Sequence, residues 1–205
     1  DILFRFDDIS HQPESYFQNW FDKSELLKPI YDLFFGTLYN PRMYITNQFS
    51  DLVQAIEAYH RRTTRNCDLL PEEYDKIVSE ILNGTPEQHK VWLKEKLEYG
   101  NEPNLRKRLK EIINVLGIKE FIENNGRGID SFIHRVVITR NYLTHYDKKL
   151  EDKALRPEQF YPYVQMLRTV LLTCLLKEMG FESGTMKKMI RKYFEKYVLH
   201  LALVM

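Results

Sequence analysis

Arg140, Asn141 and His145 fall within one short stretch, Arg140-Asn141-Tyr142-Leu143-Thr144-His145, and bring a guanidinium, an amide and an imidazole close together. Those groups suit a site that holds a phosphate and moves a proton. A guanidinium makes forked, charge-assisted bonds to phosphate oxygens, and imidazole is the side chain that ordinarily titrates near neutral pH.

The element carrying them reads as a helix from Ile129 to Tyr146. At about 100° per residue, Ile129, Phe132, Ile133, Val136 and Leu143 share one stripe, the expected buried face, and Arg140 lies near its middle. A buried charge is costly unless paired, so Arg140 is expected to meet a carboxylate or an anionic ligand. A second series, His134, Ile138, Asn141 and His145, lies on the opposite side and suits a subunit interface with a polar cleft. Asn141 and His145 are four apart and can meet on that face. Arg140 and His145 are five apart, separated by about 140° and roughly 7.5 Å of rise. They converge only if the helix distorts near Thr144, if the Arg side chain wraps round, or if a second copy of the helix completes the site. A structural ion pair at Arg140 and a dipole cap at His145 account for the same residues without chemistry.

The supporting candidates each have a plain alternative. Glu57 could pair with Arg140, or with Arg61 one turn further along its own helix. His134 could line the cleft or make an interface hydrogen bond. His60, on an apolar stripe, reads as a satisfied core histidine. Among the basic clusters, Lys148 and Lys149 follow His145 directly and are the candidates for RNA phosphate. Arg61-Arg62-Arg65, Arg106-Lys107-Arg108-Lys110 and Lys187-Lys188-Arg191-Lys192 read as solvated faces. No histidine pair has HExxH or His-X3-His spacing, so no metal and no cofactor is expected. Gly126-Arg127-Gly128 reads as a turn leading into a helix and not as a P-loop.

The 205 residues, 43% hydrophobic and 13% aromatic, bound a globular chain. A net charge of +1 gives no global nucleic-acid signature, so any RNA contact must be local. The two cysteines, Cys67 and Cys174, have no metal-ligand companions, which points to a reducing, cytoplasmic setting. The longest apolar run, Thr169 to Leu176, is too short to cross a bilayer. Ile2 to Asp7 reads as a strand end. With Asp1 standing where Met is usual, residues 1–12 are read as the linker or strand remnant of a preceding domain of the same protein. Residues 13–205 are then one helical domain.

From Pro13 onward every signal is helical. Pro29 is expected to bend or break an early helix. A long one follows Asn40-Pro41 and ends near Thr63, with Phe49, Leu52, Val53, Ile56 and His60 facing inward. Pro71, Thr85-Pro86-Glu87-Gln88 (a capping box), Pro103 and Pro157 open further helices, while Gly100, Gly117 and Gly180 close them. Thr185 is expected to cap the last. The chain ends on the apolar run from Val198 to Met205. The fold class is therefore all-α, an antiparallel helical bundle with a short amino-terminal strand remnant.

The Arg-X4-6-His spacing, with Asn directly after the Arg, resembles the signature of the HEPN superfamily. Leu3-Phe4-Arg5-Phe6-Asp7 followed by Trp20, together with Gln54-Ala55-Ile56-Glu57-Ala58-Tyr59-His60-Arg61, resembles one branch, the ApeA-type HEPN domain of bacterial anti-phage defence proteins. The resemblance implies a homodimer whose two motifs face one shared cleft. It also implies that Arg140, Asn141 and His145 are catalytic residues of a metal-independent endoribonuclease, a toxic effector leaving 2′,3′-cyclic phosphate and 5′-hydroxyl ends. The alternative is a non-catalytic HEPN-like module for dimerisation or nucleic-acid binding.

Overall fold

Periodic apolar faces, each too long to be left in water, decide how this chain packs. A computed structural model of it describes residues 4–123 and 128–195. These residues form twelve α-helices and one short 3-10 turn, and no strand occurs among them. Where a strand end was expected, α1 (Phe6–Ile9) is a single helical turn in which Asp8 Oδ2 accepts from the Arg5 backbone N–H at 2.7 Å. Ile2 and Leu3, and the apolar run after Val198, lie outside the described residues.

After α2 (Pro13–Asp22) and α3 (Ser24–Tyr39), the bundle is organised round α4 (Ile45–Thr63) and α11 (Phe160–Met179). Phe49, Leu52, Val53 and Ile56 are fully buried along α4, and α11 buries residues on all sides, from Phe160 to Met179. Each such side chain contributes roughly 1.5–3 kcal/mol. The Phe49 and Phe160 rings meet at 5.5 Å near one end, and Tyr59 Oη donates to Glu178 Oε1 at 2.7 Å near the other. These two central helices therefore run the same way. Their sequence neighbours run against them: α3 returns beside α4, and α12 (Ser183–Phe194) returns along α11 until Tyr193 reaches Gln165. Gly180, at φ 97°, makes the turn between α11 and α12 in a left-handed conformation.

Pro29 does not break α3, which runs on through it. Lacking an N–H, it leaves the Glu25 carbonyl without its helical donor, and Arg62 from α4 replaces it through Nη2 at 3.3 Å while Nε binds the Leu26 carbonyl. The capping box at Thr85 does not form. Thr85 Oγ1 donates back to the Ile81 carbonyl at 2.7 Å, and α6 (Glu87–Leu97) starts after Pro86. With α5 (Pro71–Asn83), α6 makes a hairpin that buries none of its own residues.

The remaining helices build the site. Asn104 caps α7 (Leu105–Leu116) by accepting from the Lys107 N–H, and Gly117 ends it at φ 64°. The short α8 (Lys119–Glu123) leads to α9 (Ile129–His145), followed by α10 (Lys148–Glu151). α9 lies against α7 and α4, antiparallel to α7, with Arg106 beside His134 and Lys110 beside Asp130.

Candidate active site

Phe132, Ile133, Val136 and Thr139 bury one side of α9 completely, and this fixes the rotation of the helix. Arg140 follows on the edge of that face, about one-third exposed, and turns toward α4. There Glu57, flanking the buried Val53–Ile56–His60 stripe, receives it: Nη2 to Oε2 is 2.9 Å, with the side chains 35% and 27% exposed. Of the two partners open to Glu57, the structure selects Arg140, while Arg61 pairs with Glu102 at 2.6 Å. Arg140 Nη1 also donates to Asn141 Oδ1 at 3.2 Å, so the Asn141 amide donors make no hydrogen bond among the described residues.

His145 stands apart. α9 stays helical through it, and Tyr146 then adopts the left-handed conformation at φ 49°. The Thr144 hydroxyl binds the Arg140 carbonyl at 2.8 Å without breaking the helix. The His145 side chain is exposed, forms no hydrogen bond or ion pair among the described residues, and does not line the cavity beside Arg140. Within one chain neither helix distortion nor a wrapped Arg brings the two together. His134, also exposed, accepts on Nδ1 from Arg106 Nη2 at 3.0 Å and likewise lies outside the cavity. Lys148 and Lys149 are exposed in α10, just past His145, and form no ion pair among the described residues; Asp147 caps the Lys149 N–H at 3.0 Å.

The cavity occupies about 460 Å³ between α4, α9 and the amino-terminal end of α7. Arg140, Asn141 and Glu57 line it, joined by Arg61, Glu102, Arg106 and Arg108. Behind it runs a polar chain into the core. Arg108, 2% exposed, reaches Glu102 at 3.5 Å and donates through Nη1 to His60 Nδ1 at 3.0 Å. A guanidinium only donates, so His60 carries its proton on Nε2 and gives it to Glu111 Oε2 at 2.7 Å. His60 is thus the satisfied core histidine its stripe predicts. Burial, then the neighbouring Arg61 charge, lower the Arg108 guanidinium from its ordinary pKa, while Glu102 and Glu57 oppose them.

Reading the sequence did not single out Glu102, and it placed Arg106 and Arg108 in a cluster read as a solvated face; Arg106 is exposed, but Arg108 is buried. Arg108 carried a usable signal: it lies three residues after Leu105 and four before Ile112, a charge inside an apolar stripe. Among the described residues no cluster of His, Cys, Asp and Glu could hold a metal ion, and no helix is long and apolar enough to cross a membrane.

An all-helical bundle with Arg-Asn-X3-His closing a late helix is the architecture of a HEPN domain. The model of the Apea-like HEPN family matches residues 50–185. The chain belongs to that family, and the matched span runs from α4 into α12, taking in Glu57 and the whole motif. No curated protein and no solved structure matches the chain.

Proposed function

We propose that this domain is the nuclease effector of a bacterial anti-phage defence protein, a metal-independent endoribonuclease that works as a homodimer. One observation carries the reading: Arg140 and Asn141 line a cationic cavity, while His145 ends the same unbroken helix exposed and with no partner among the described residues. A second copy packed on the face of His134, Ile138, Asn141 and His145 supplies the missing imidazole to each cavity.

RNA carries its own nucleophile, so the reaction asks the protein only for proton transfer and charge stabilisation. The 2′-oxygen loses its proton and bonds to phosphorus, and the 5′-oxygen bond breaks as that oxygen gains a proton. His145 serves these transfers. Arg140 leaves Glu57 for the phosphorane, whose extra negative charge it stabilises. Asn141 orients the phosphate with its free amide donors, Glu57 and His134 support from behind, and Lys148 with Lys149 hold flanking phosphates. The products are a 2′,3′-cyclic phosphate and a 5′-hydroxyl.

The separation of His145 from the cavity in a single chain also favours a second reading, a non-catalytic module that dimerises or binds nucleic acid. Incubating the protein with total RNA in EDTA and mapping fragment ends tests both. Cyclic-phosphate ends that vanish with His145→Ala support the nuclease, and full cleavage by Arg140→Ala or His145→Ala removes it.

A further inference from the structure

The cavity beside Arg140 holds more positive charge than its own carboxylates balance. Four guanidinium groups, those of Arg61, Arg106, Arg108 and Arg140, face two carboxylates, Glu57 and Glu102. Glu57 is engaged by Arg140, and Glu102 by Arg61, with a longer reach to Arg108. Arg106 has no carboxylate partner among the described residues. Its one side-chain contact is to a His134 nitrogen that accepts, so its charge stays uncompensated. Residues Asn104 and Leu105, at the positive end of α7, line the same wall and add to the field. Arg108 is held rigid by burial and by its bond to His60.

Size and lining narrow the ligand. About 460 Å³ is the scale of a small organic molecule and well beyond a bare anion. Pro103, Leu105 and Val137 give an apolar wall on which a ribose or base can lie. We infer that this cavity is the subsite for the RNA nucleotide next to the scissile linkage, its phosphate held by Arg106 with the buried charge of Arg108 behind it. The inference rests on the ribonuclease reading, because Arg140 joins this cavity to the reacting phosphate.

Binding of 2′-O-methyl RNA, which lacks the nucleophile, separates the two claims. Arg106 is exposed, so Arg106→Ala should fold as the parent does, which circular dichroism checks. Fluorescence anisotropy should show affinity lowered about tenfold or more, the effect of one charge-assisted bond. The slope of log affinity against log salt should fall by about 0.7. Arg106→Lys should restore the slope without the full affinity, because a point charge replaces the fork. Unchanged affinity and slope in Arg106→Ala would overturn the subsite. A loss seen with adenosine monophosphate but not with the RNA would do the same, pointing to a free nucleotide. Absent cleavage of all-ribose RNA alongside the Arg106 binding defect would leave the subsite standing and remove the nuclease.

Discussion

Pairing two inactive variants in one dimer tests whether the site is shared. Arg140 and His145 are five residues apart on a continuous helix, hence about 140° and roughly 7.5 Å apart. Arg140 is committed to Glu57 on the inner side, and His145 projects from the exposed end. A heterodimer of Arg140→Ala with His145→Ala, isolated through two different tags, then has one site that keeps both groups and one that lacks both. Removing a transition-state donor costs about 10²–10³ in rate, and removing a general acid–base about 10²–10⁴. Each homodimeric variant should therefore cleave at a hundredth of the parent or less. The heterodimer, with one of two symmetry-related sites intact, should return to about half. Cleavage of a fluorescent RNA hairpin in EDTA reads the difference. A heterodimer no faster than the variant homodimers would refute the reasoning and place the two side chains in one protomer's site.

Four further outcomes are expected. Glu57→Gln keeps an acceptor but loses the charge of a pair one-third exposed, so it should cost about 1 kcal/mol and lower the melting temperature by roughly 2–4 °C; an unmoved melting curve contradicts this. Lys148→Ala with Lys149→Ala should flatten the salt dependence of RNA binding by about 1.4 in slope, two phosphates' worth, and an unchanged slope discards both as phosphate contacts. Arg108→Ala removes a buried side chain and the His60 donor while Glu102 keeps Arg61, and urea unfolding should show a loss of about 2 kcal/mol. Burial alone would raise the Glu178 pKa, but hydrogen bonds from Lys23 and Tyr59 and the charges of Lys23 and Lys177 bring it below the ordinary value. Its stabilisation is thus full above the unfolded pKa of about 4.3 and lost as pH falls through the lower folded value; urea midpoints should drop more steeply there than in Glu178→Gln.

Long periodic segments could be read directly because their burial is set by their own spacing. α4 ends at Thr63 as its stripe implied, and α9 stops at His145, one residue from the expected end. Short or contested signals failed for the opposite reason. Leu3 to Asp7 offers too few residues to separate alternation from one helical turn, and Phe6–Ile9 takes the turn. Pro29 looked like a break because the compensating donor, Arg62, comes from another helix. The site divided the same way. Arg140 announced its need for a partner by lying on an apolar stripe, but that Glu57 meets Arg140 and not Arg61 was decided by the approach of α9 to α4. Glu102 gave no warning and Arg106 looked like part of a solvated face, since their meaning arises only where α7 meets α4 and α9.

On the proposed ribonuclease reading, the partial exposure of the Arg140–Glu57 pair lets one guanidinium serve both fold and ligand. Fully buried, the pair would cost several kcal/mol to open, and no phosphate could displace the carboxylate cheaply. Fully exposed, it would be worth little and would leave the guanidinium wandering. At about one-third exposure Arg140 is aimed while it waits, and an arriving phosphate exchanges one anion for another. That exchange leaves Glu57 without a counter-charge, beside Glu102, and the local field must offset the repulsion. Arg106, unneutralised, and the positive end of α7 lie where they can do so. On the proposed reading, RNA recognition needs no basic protein: the chain's net charge is +1, yet four arginines and two carboxylates line this one cavity.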